Sequence, residues 1–136
     1  MMTMNLAEVI HQRWAAADTL ESLLPAERVH TGLGVDPGLP YAVISKRADR
    51  PLSRHNDGSA VAGVVLQIEV FHDDYDAATE IMHEIKTAFD RTAFDLAADD
   101  KVLDMRRAND WETQSEDGLW QLTIDFNCTI HLATGV

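Results

Sequence analysis

Residues 119–132 read LWQLTIDFNCTIHL. Trp120, Leu122, Ile124, Phe126, Cys128, Ile130 and Leu132 alternate with Leu119, Gln121, Thr123, Asp125, Asn127, Thr129 and His131. Successive side chains of a β-strand point to opposite faces, so a period of two predicts a strand. One face of it is wholly apolar and the other is mostly polar. That pattern requires a sheet covered on one side only. The rest of the chain must supply partner strands and an amphipathic cover.

Residues 61–72, VAGVVLQIEVFH, supply a second strand, with Val64, Leu66, Ile68 and Val70 facing the core. Residues 41–47 and 101–113 supply two more, the latter less regular. The cover comes from two helical stretches. In 5–24, Leu6, Val9, Ile10, Trp14, Ala17, Leu20 and Leu24 recur at spacings of three and four. Asn5 with Glu8 forms one capping pair, and Asp18 with Glu21 a second, which predicts a break near 18 and a restart. Pro25 suits the helix end. In 74–91, Tyr75, Ala78, Ile81, Met82, Ile85, Ala88 and Phe89 form the buried stripe, behind N-cap oxygens from Asp73 and Asp74.

The predicted order is α-β-β-α-β-β. Strands joined by hairpin turns pair antiparallel. The expected fold is α+β: a two-layer sandwich, a mainly antiparallel four-stranded sheet with two helices on one face. At 136 residues the expectation is one domain spanning 1–136. Loop chemistry fills 30–40, HTGLGVDPGLP, and 92–100 connects, with Phe94 and Leu96 tucked inward.

The formal net charge of −12 opposes wrapping of nucleic acid and docking on anionic membranes. The start, MMTMNLAEVIHQR, lacks the pattern of a secretory signal, and no apolar run is long enough to span a bilayer. A soluble protein made in the cytosol is expected. Cys128, the single cysteine, excludes an internal disulfide and sits on the apolar face as a buried thiol rather than a nucleophile.

Motifs of chemistry are missing. There is no phosphate loop, CxxC or HExxH, and the GxG at Gly32 and Gly34 precedes no helix pattern, so it is a turn. His72, Asp73, His83 and Glu84 resemble a ligand set. However, the two histidines are 11 residues apart, roughly 16 Å along a helix axis, and cannot share one ion. No catalytic residue, metal or cofactor is expected. Asp125, between Thr123 and Asn127, stands on a polar face that is either solvated or covered by a neighbouring subunit.

Three features suit contact. Lys46, Arg47, Arg50 and Arg54, four of 11 basic residues, fall within ISKRADRPLSRHNDGSA at 44–60. Pro51 and Asn56-Asp57-Gly58 oppose regular structure there, so this is an arm between two strands. It is either a basic arm meeting an acidic surface or a mobile loop with no partner. Asp76, Glu80 and Glu84 stand four apart on one helix, an arrangement of like charges that is mildly unfavourable. They make a solvated face or have an electrostatic role. Trp111, among polar residues, is an interface anchor or a strand residue at the core edge.

The ordered segments LESLLPAERVHTG, GLPYAVIS, VVLQIEVFHDDYDAATEIMHEIKTAF and DGLWQLTIDFNCTIHL resemble the tail-terminator or tail-completion proteins of long-tailed phages. The broad group includes the phage lambda tail terminator. The likeness covers about residues 5–133. It includes a Y-x-x-A helix start at Tyr75 and Ala78, and a DG-x-W turn at Asp117, Gly118 and Trp120. It implies a non-enzymatic structural role, with a ring, commonly of six subunits, on the last ring of the tail tube. That ring stops tube polymerisation and presents a surface to the head–tail connector. The implied partners are further copies of the chain, the tail-tube protein and the connector or neck protein. DNA only passes through, and no membrane is involved. The implied place is the virion tail of a phage, prophage or gene transfer agent, assembled in the bacterial cytoplasm. Lys46, Arg47, Arg50, Arg54 and Trp111 become interface candidates, and Asp76, Glu80 and Glu84 candidates for an acidic lumen. The competing readings are a neck or head-completion protein, and a small ligand-binding domain or enzyme using the sheet face around Asp125.

Overall fold

A computed structural model describes residues 4–32 and 37–135, with side chains from Leu6 onward. Helix α1 spans Met4–Ala16 and α2 spans Asp18–Leu23, followed by a 3-10 turn at Ala26–Arg28. Strand β1 is Val29–His30, β2 is Tyr41–Arg54 and β3 is Ala60–His72. Helix α3 is Tyr75–Phe89, and β4 (Thr92–Asp95), β5 (Lys101–Gln114) and β6 (Trp120–Leu132) complete the chain.

All six strands form one curled sheet in the order β1-β2-β3-β6-β5-β4. Pairing is antiparallel throughout except for β1 on β2, which is parallel. The expected four-stranded antiparallel sandwich with two helices is therefore incorrect. The protein has a six-stranded mixed sheet, a half-barrel, with three short helices. The two extra strands have two and four residues, too short for any alternation to register. β1 lies beside the glycine-rich loop and β4 within the expected connector, so turn chemistry hides both.

The second correction concerns 44–60. Strand β2 continues through Pro51 to Arg54, and only 55–59 turn. Proline removes a ladder donor, which is tolerated on an edge strand. Register shifts between Lys46 and Ala48 and between Pro51 and Ser53 absorb the misfit as bulges at Arg47 and Leu52.

The core lies between the sheet's apolar face and the helices. Val64, Leu66, Ile68 and Val70 of β3 and Leu122, Ile124, Phe126, Cys128 and Ile130 of β6 are buried in it. From α3 come Ala78, Ile81, Met82, Ile85 and Phe89. Tyr75 instead remains 37% exposed. Trp14 is fully buried, and its ring lies 6.4 Å from Phe89, which in turn meets Phe126 edge-on at 6.4 Å. The Trp14 indole Nε1 donates to the Leu24 carbonyl at 2.7 Å, so α1 holds the end of α2. Phe94 and Leu96 pack against this core, half-buried.

The predicted break near 18 is present, with α2 starting after Ala17. The Asp18–Glu21 cap is not: no side chain caps α2, and Glu21 Oε1 accepts from the Ala26 amide at 2.7 Å. The Asn5 side chain of the other pair and Gly34 lie outside the described residues. Helix α3 is capped by Asp74, whose Oδ1 accepts from the Asp76 amide at 3.0 Å and the Ala77 amide at 3.4 Å.

Two matched turns close the hairpins. In 55–59 the His55 amide donates to the Ser59 carbonyl at 2.9 Å, and in 115–119 the Ser115 amide donates to the Leu119 carbonyl at 2.9 Å. Gly58 and Gly118 sit at φ of 89° and 88°, where a side chain is strained. The Ser59 hydroxyl and amide both donate to the Asp57 carboxylate, at 2.6 and 2.9 Å.

Candidate functional site

The register of the sheet leaves two lengths of strand edge open. β1 pairs with β2 only at Ala42 and Val43. β4 pairs with β5 only between Lys101 and Met105. Among the described residues no strand pairs with the outer side of 47–54 in β2 or of 106–114 in β5, and both stretches are exposed. They lie on opposite edges of the sheet and at opposite ends of its strands.

The β2 edge carries all four basic candidates. Arg50 pairs in register with Gly63, Arg54 with Ala60, and Arg47 occupies a bulge. Lys46 Nζ meets Asp49 Oδ2 at 3.0 Å. Arg47, Arg50 and Arg54 have no ion pair among the described residues. Leu52, 50% exposed, lies over Gly63, where an added Cβ would meet it at 3.4 Å. The basic stretch is thus a strand edge within the sheet rather than a projecting arm.

The β5 edge carries Trp111, 42% exposed, with two bases, Arg106 and Arg107, and two acids, Asp110 and Glu112. Asp110 pairs with Lys86 of α3, and Glu112 accepts from the Tyr75 hydroxyl at 2.7 Å. That hydrogen bond, first among the causes, raises the Tyr75 pKa above its ordinary value. Asp110 and Glu112 therefore face the helix layer, and alternation turns Trp111 to the opposite face. Its register partner Thr123 is buried there. A cleft of about 370 Å³ opens between α3 and this edge, lined by Met82, His83, Lys86, Asp110, Glu112 and Leu122 among others. Glu116 and Asp117 follow in the turn after β5. The Ser115 hydroxyl donates to Asp117 and, as the largest cause, holds its carboxyl below the ordinary value.

The structure therefore separates Trp111 from the bases within one chain. Asp76, Glu80 and Glu84 lie on α3 and line a groove toward Thr19 and Leu23 of the α2 region. Asp76 and Glu80 are exposed and Glu84 is half-buried. Sequence reasoning missed Asp110 and Glu112 as members of an open edge. No local signal marks them, because the edge exists only where β4 stops short.

The polar sheet face is tied by its own side chains. Gln67 Nε2 donates to Asp125 Oδ1 at 3.0 Å, and Gln121 Nε2 donates to Glu69. Neither Asp125 nor His131 lines the cleft beside α3 or the groove along Asp76, Glu80 and Glu84. Among the described residues no three His, Cys, Asp or Glu side chains group as metal ligands. His72 Nδ1 accepts from the Asp74 amide at 3.0 Å. Burial pushes the Cys128 thiol up to about 12. No described helix is long and apolar enough to cross a membrane.

Over residues 8–131 the chain matches the family model described as tail completion protein gp17, which puts it among phage structural proteins. The match spans most of the sequence, and the chain belongs to this tail-completion family. Its place is the virion tail. Among solved structures it is similar in fold to a chain from the virion of a native gene transfer agent particle. The TM-score is 0.71 at 14% identity, covering 90% of this chain and 91% of that one. No curated protein gives a significant match.

Proposed function

We propose that this tail-completion protein caps the tail tube as a ring, ends tube polymerisation and forms the surface that joins the head. The observation that carries this reading is the family match over 8–131. The similar chain in a gene transfer agent virion supports it, and suggests a phage, prophage or gene transfer agent as the source. The partners are other copies of the chain, six in a ring, with the tail-tube protein on one side and a connector or neck protein on the other. No catalytic step and no cofactor is needed.

Charge fits the role. A ring multiplies the −12 of each subunit, and like charge keeps DNA moving through an opening instead of adhering to it. Asp76, Glu80 and Glu84 are proposed to face that opening. Lys46, Arg47, Arg50, Arg54 and Trp111 are proposed to meet neighbouring protein. The test is native mass spectrometry of the purified chain, alone and with tail tubes. Rings, free or on tube ends, and an arrest of tube growth are expected. A chain that stays monomeric and leaves tube growth unchanged would contradict the proposal.

A further inference from the structure

From the outer face of the sheet, the one turned away from the helices, we infer how two copies meet in the ring. Trp111 of one copy seats in a groove on the β2–β3 face of the next, beside Arg50. The inference rests on the ring reading above and names the contact that would hold the ring together.

The groove has a volume of about 320 Å³ and is lined by Ala48, Arg50, Leu52, Gly63, Val65 and Asn127, among others. Ala48 pairs in register with Val65 and Arg50 with Gly63, so their side chains share one face. Val65 and Gly63 pair in turn with Asn127 and Thr129, on the same side of β6 as Thr123, which is the outer face. Glycine at 63 keeps the surface low, since a Cβ there would meet the Leu52 side chain at 3.4 Å. Leu52 therefore lies down over the sheet, 50% exposed, as an apolar wall. Arg50 is exposed and has no ion pair among the described residues. Apolar walls, a low floor and an unpaired guanidinium suit a flat aromatic side chain, whose ring face attracts a cation.

Trp111 is the side chain that fits. Among the described residues the exposed large apolar side chains are Leu39, Leu52, Tyr75, Leu103 and Trp111, of which two are aromatic. Tyr75 is engaged already: its hydroxyl donates to Glu112 and its ring packs on Trp120 at 4.6 Å. Trp111 keeps its ring exposed, on the outer face. Asp110 and Glu112 on either side are tied to Lys86 and Tyr75, which fixes the strand beneath it. A large aromatic held in place before contact makes a strong anchor, because little freedom is lost on docking.

Trp111 cannot fill the groove of its own chain. It lies in line with Thr123, and Arg50 lies in line with Gly63 and Thr129. The offset is 129 − 123, six residues, or about 20 Å along the strands. Strands β2 and β5 are also three spacings apart, about 14 Å across the sheet. Any Trp111 in the groove is therefore another copy's. Each copy offers the indole at its β5 side and the groove at its β2 side. That is a heterologous contact, which repeats head to tail and closes as a ring. It is made on the face of β2 and needs no strand ladder. A two-fold pair would satisfy both contacts only by stacking the two outer faces. That stacking brings Glu69 and Asp125, on the central strands of this face, against the same acids of the other copy, which is unfavourable.

Photocrosslinking tests the contact. p-Benzoylphenylalanine in place of Trp111 keeps an aromatic side chain at the position. In rings, free or on tube ends, irradiation should give a ladder of linked subunits that runs past pairs. Peptide mapping should place the link within 48–52 or 63–65. Links only to the tube protein, links elsewhere on the neighbour, a ladder that stops at pairs, or no link at all would overturn the inference and leave the ring in place. Two substitutions measure the strength of the contact. Trp111→Ala removes the indole, and Ala48→Trp fills the groove from an exposed position. Each should raise the ring-assembly midpoint at least about tenfold, at an unchanged denaturation midpoint. Normal assembly of either variant would overturn the inference. A wild-type chain that forms no ring, free or on tube ends, removes the ring reading and the inference with it.

Discussion

At the residue scale, the two hairpin turns depend on conformations and hydrogen bonds that few residues can supply. A Cβ added at Gly118, φ 88°, would meet only the Gln114 side chain at an ordinary 4.0 Å, so Gly118→Ala tests conformation rather than a clash. The expected loss is about 1–2 kcal/mol in chemical denaturation, from the left-handed penalty for an L-residue. Asp57 is a second test. Donation from the Ser59 hydroxyl, the largest cause, lowers its pKa in the folded chain. A lowered folded pKa stabilises above the unfolded value of about 3.9 and is lost as pH falls through the folded one. NMR titration should show Asp57 losing its charge only below that value. Ser59→Ala should move the titration upward. An unchanged titration in that variant would show that the hydroxyl does not set the shift.

At the element scale, helix α3 is the best-specified part of the chain. Asp74 satisfies two amides at its start, and Asp74→Ala should cost about 1 kcal/mol, read as a lower denaturation midpoint. The extent of α3, β3 and β6 was legible because each carries a long unbroken period: 3.6 in the helix and two in the strands. The alternation of Trp120 to Leu132 places six of its seven apolar residues in the core, with Trp120 packed at its margin. What was not legible has a common cause. β1 and β4 are short strands whose existence depends on the longer strands beside them. Pro51 reads as a break, yet an edge strand paired on one side only leaves room for it. The basic cluster was visible at once in Lys46, Arg47, Arg50 and Arg54. The place of Asp110 and Glu112 on the other edge was not, since they differ in sequence from no other surface acids. They become an edge only through the length of β4.

At the scale of the whole molecule, the asymmetry of the sheet matters more than any single residue. The β2 edge is rich in bases, the β5 edge holds bases and acids in equal number, and short strands cover each only at one end. Membership of the tail-completion family sets where the chain makes its contacts. The capping role is tested most directly by the lengths of tails made with and without this chain, measured by electron microscopy. With it, tails should be uniform and carry a ring at the head-proximal end. Without it, tubes should grow past that length and fail to join heads. Tails of unchanged, uniform length that still join heads in its absence would contradict the capping role.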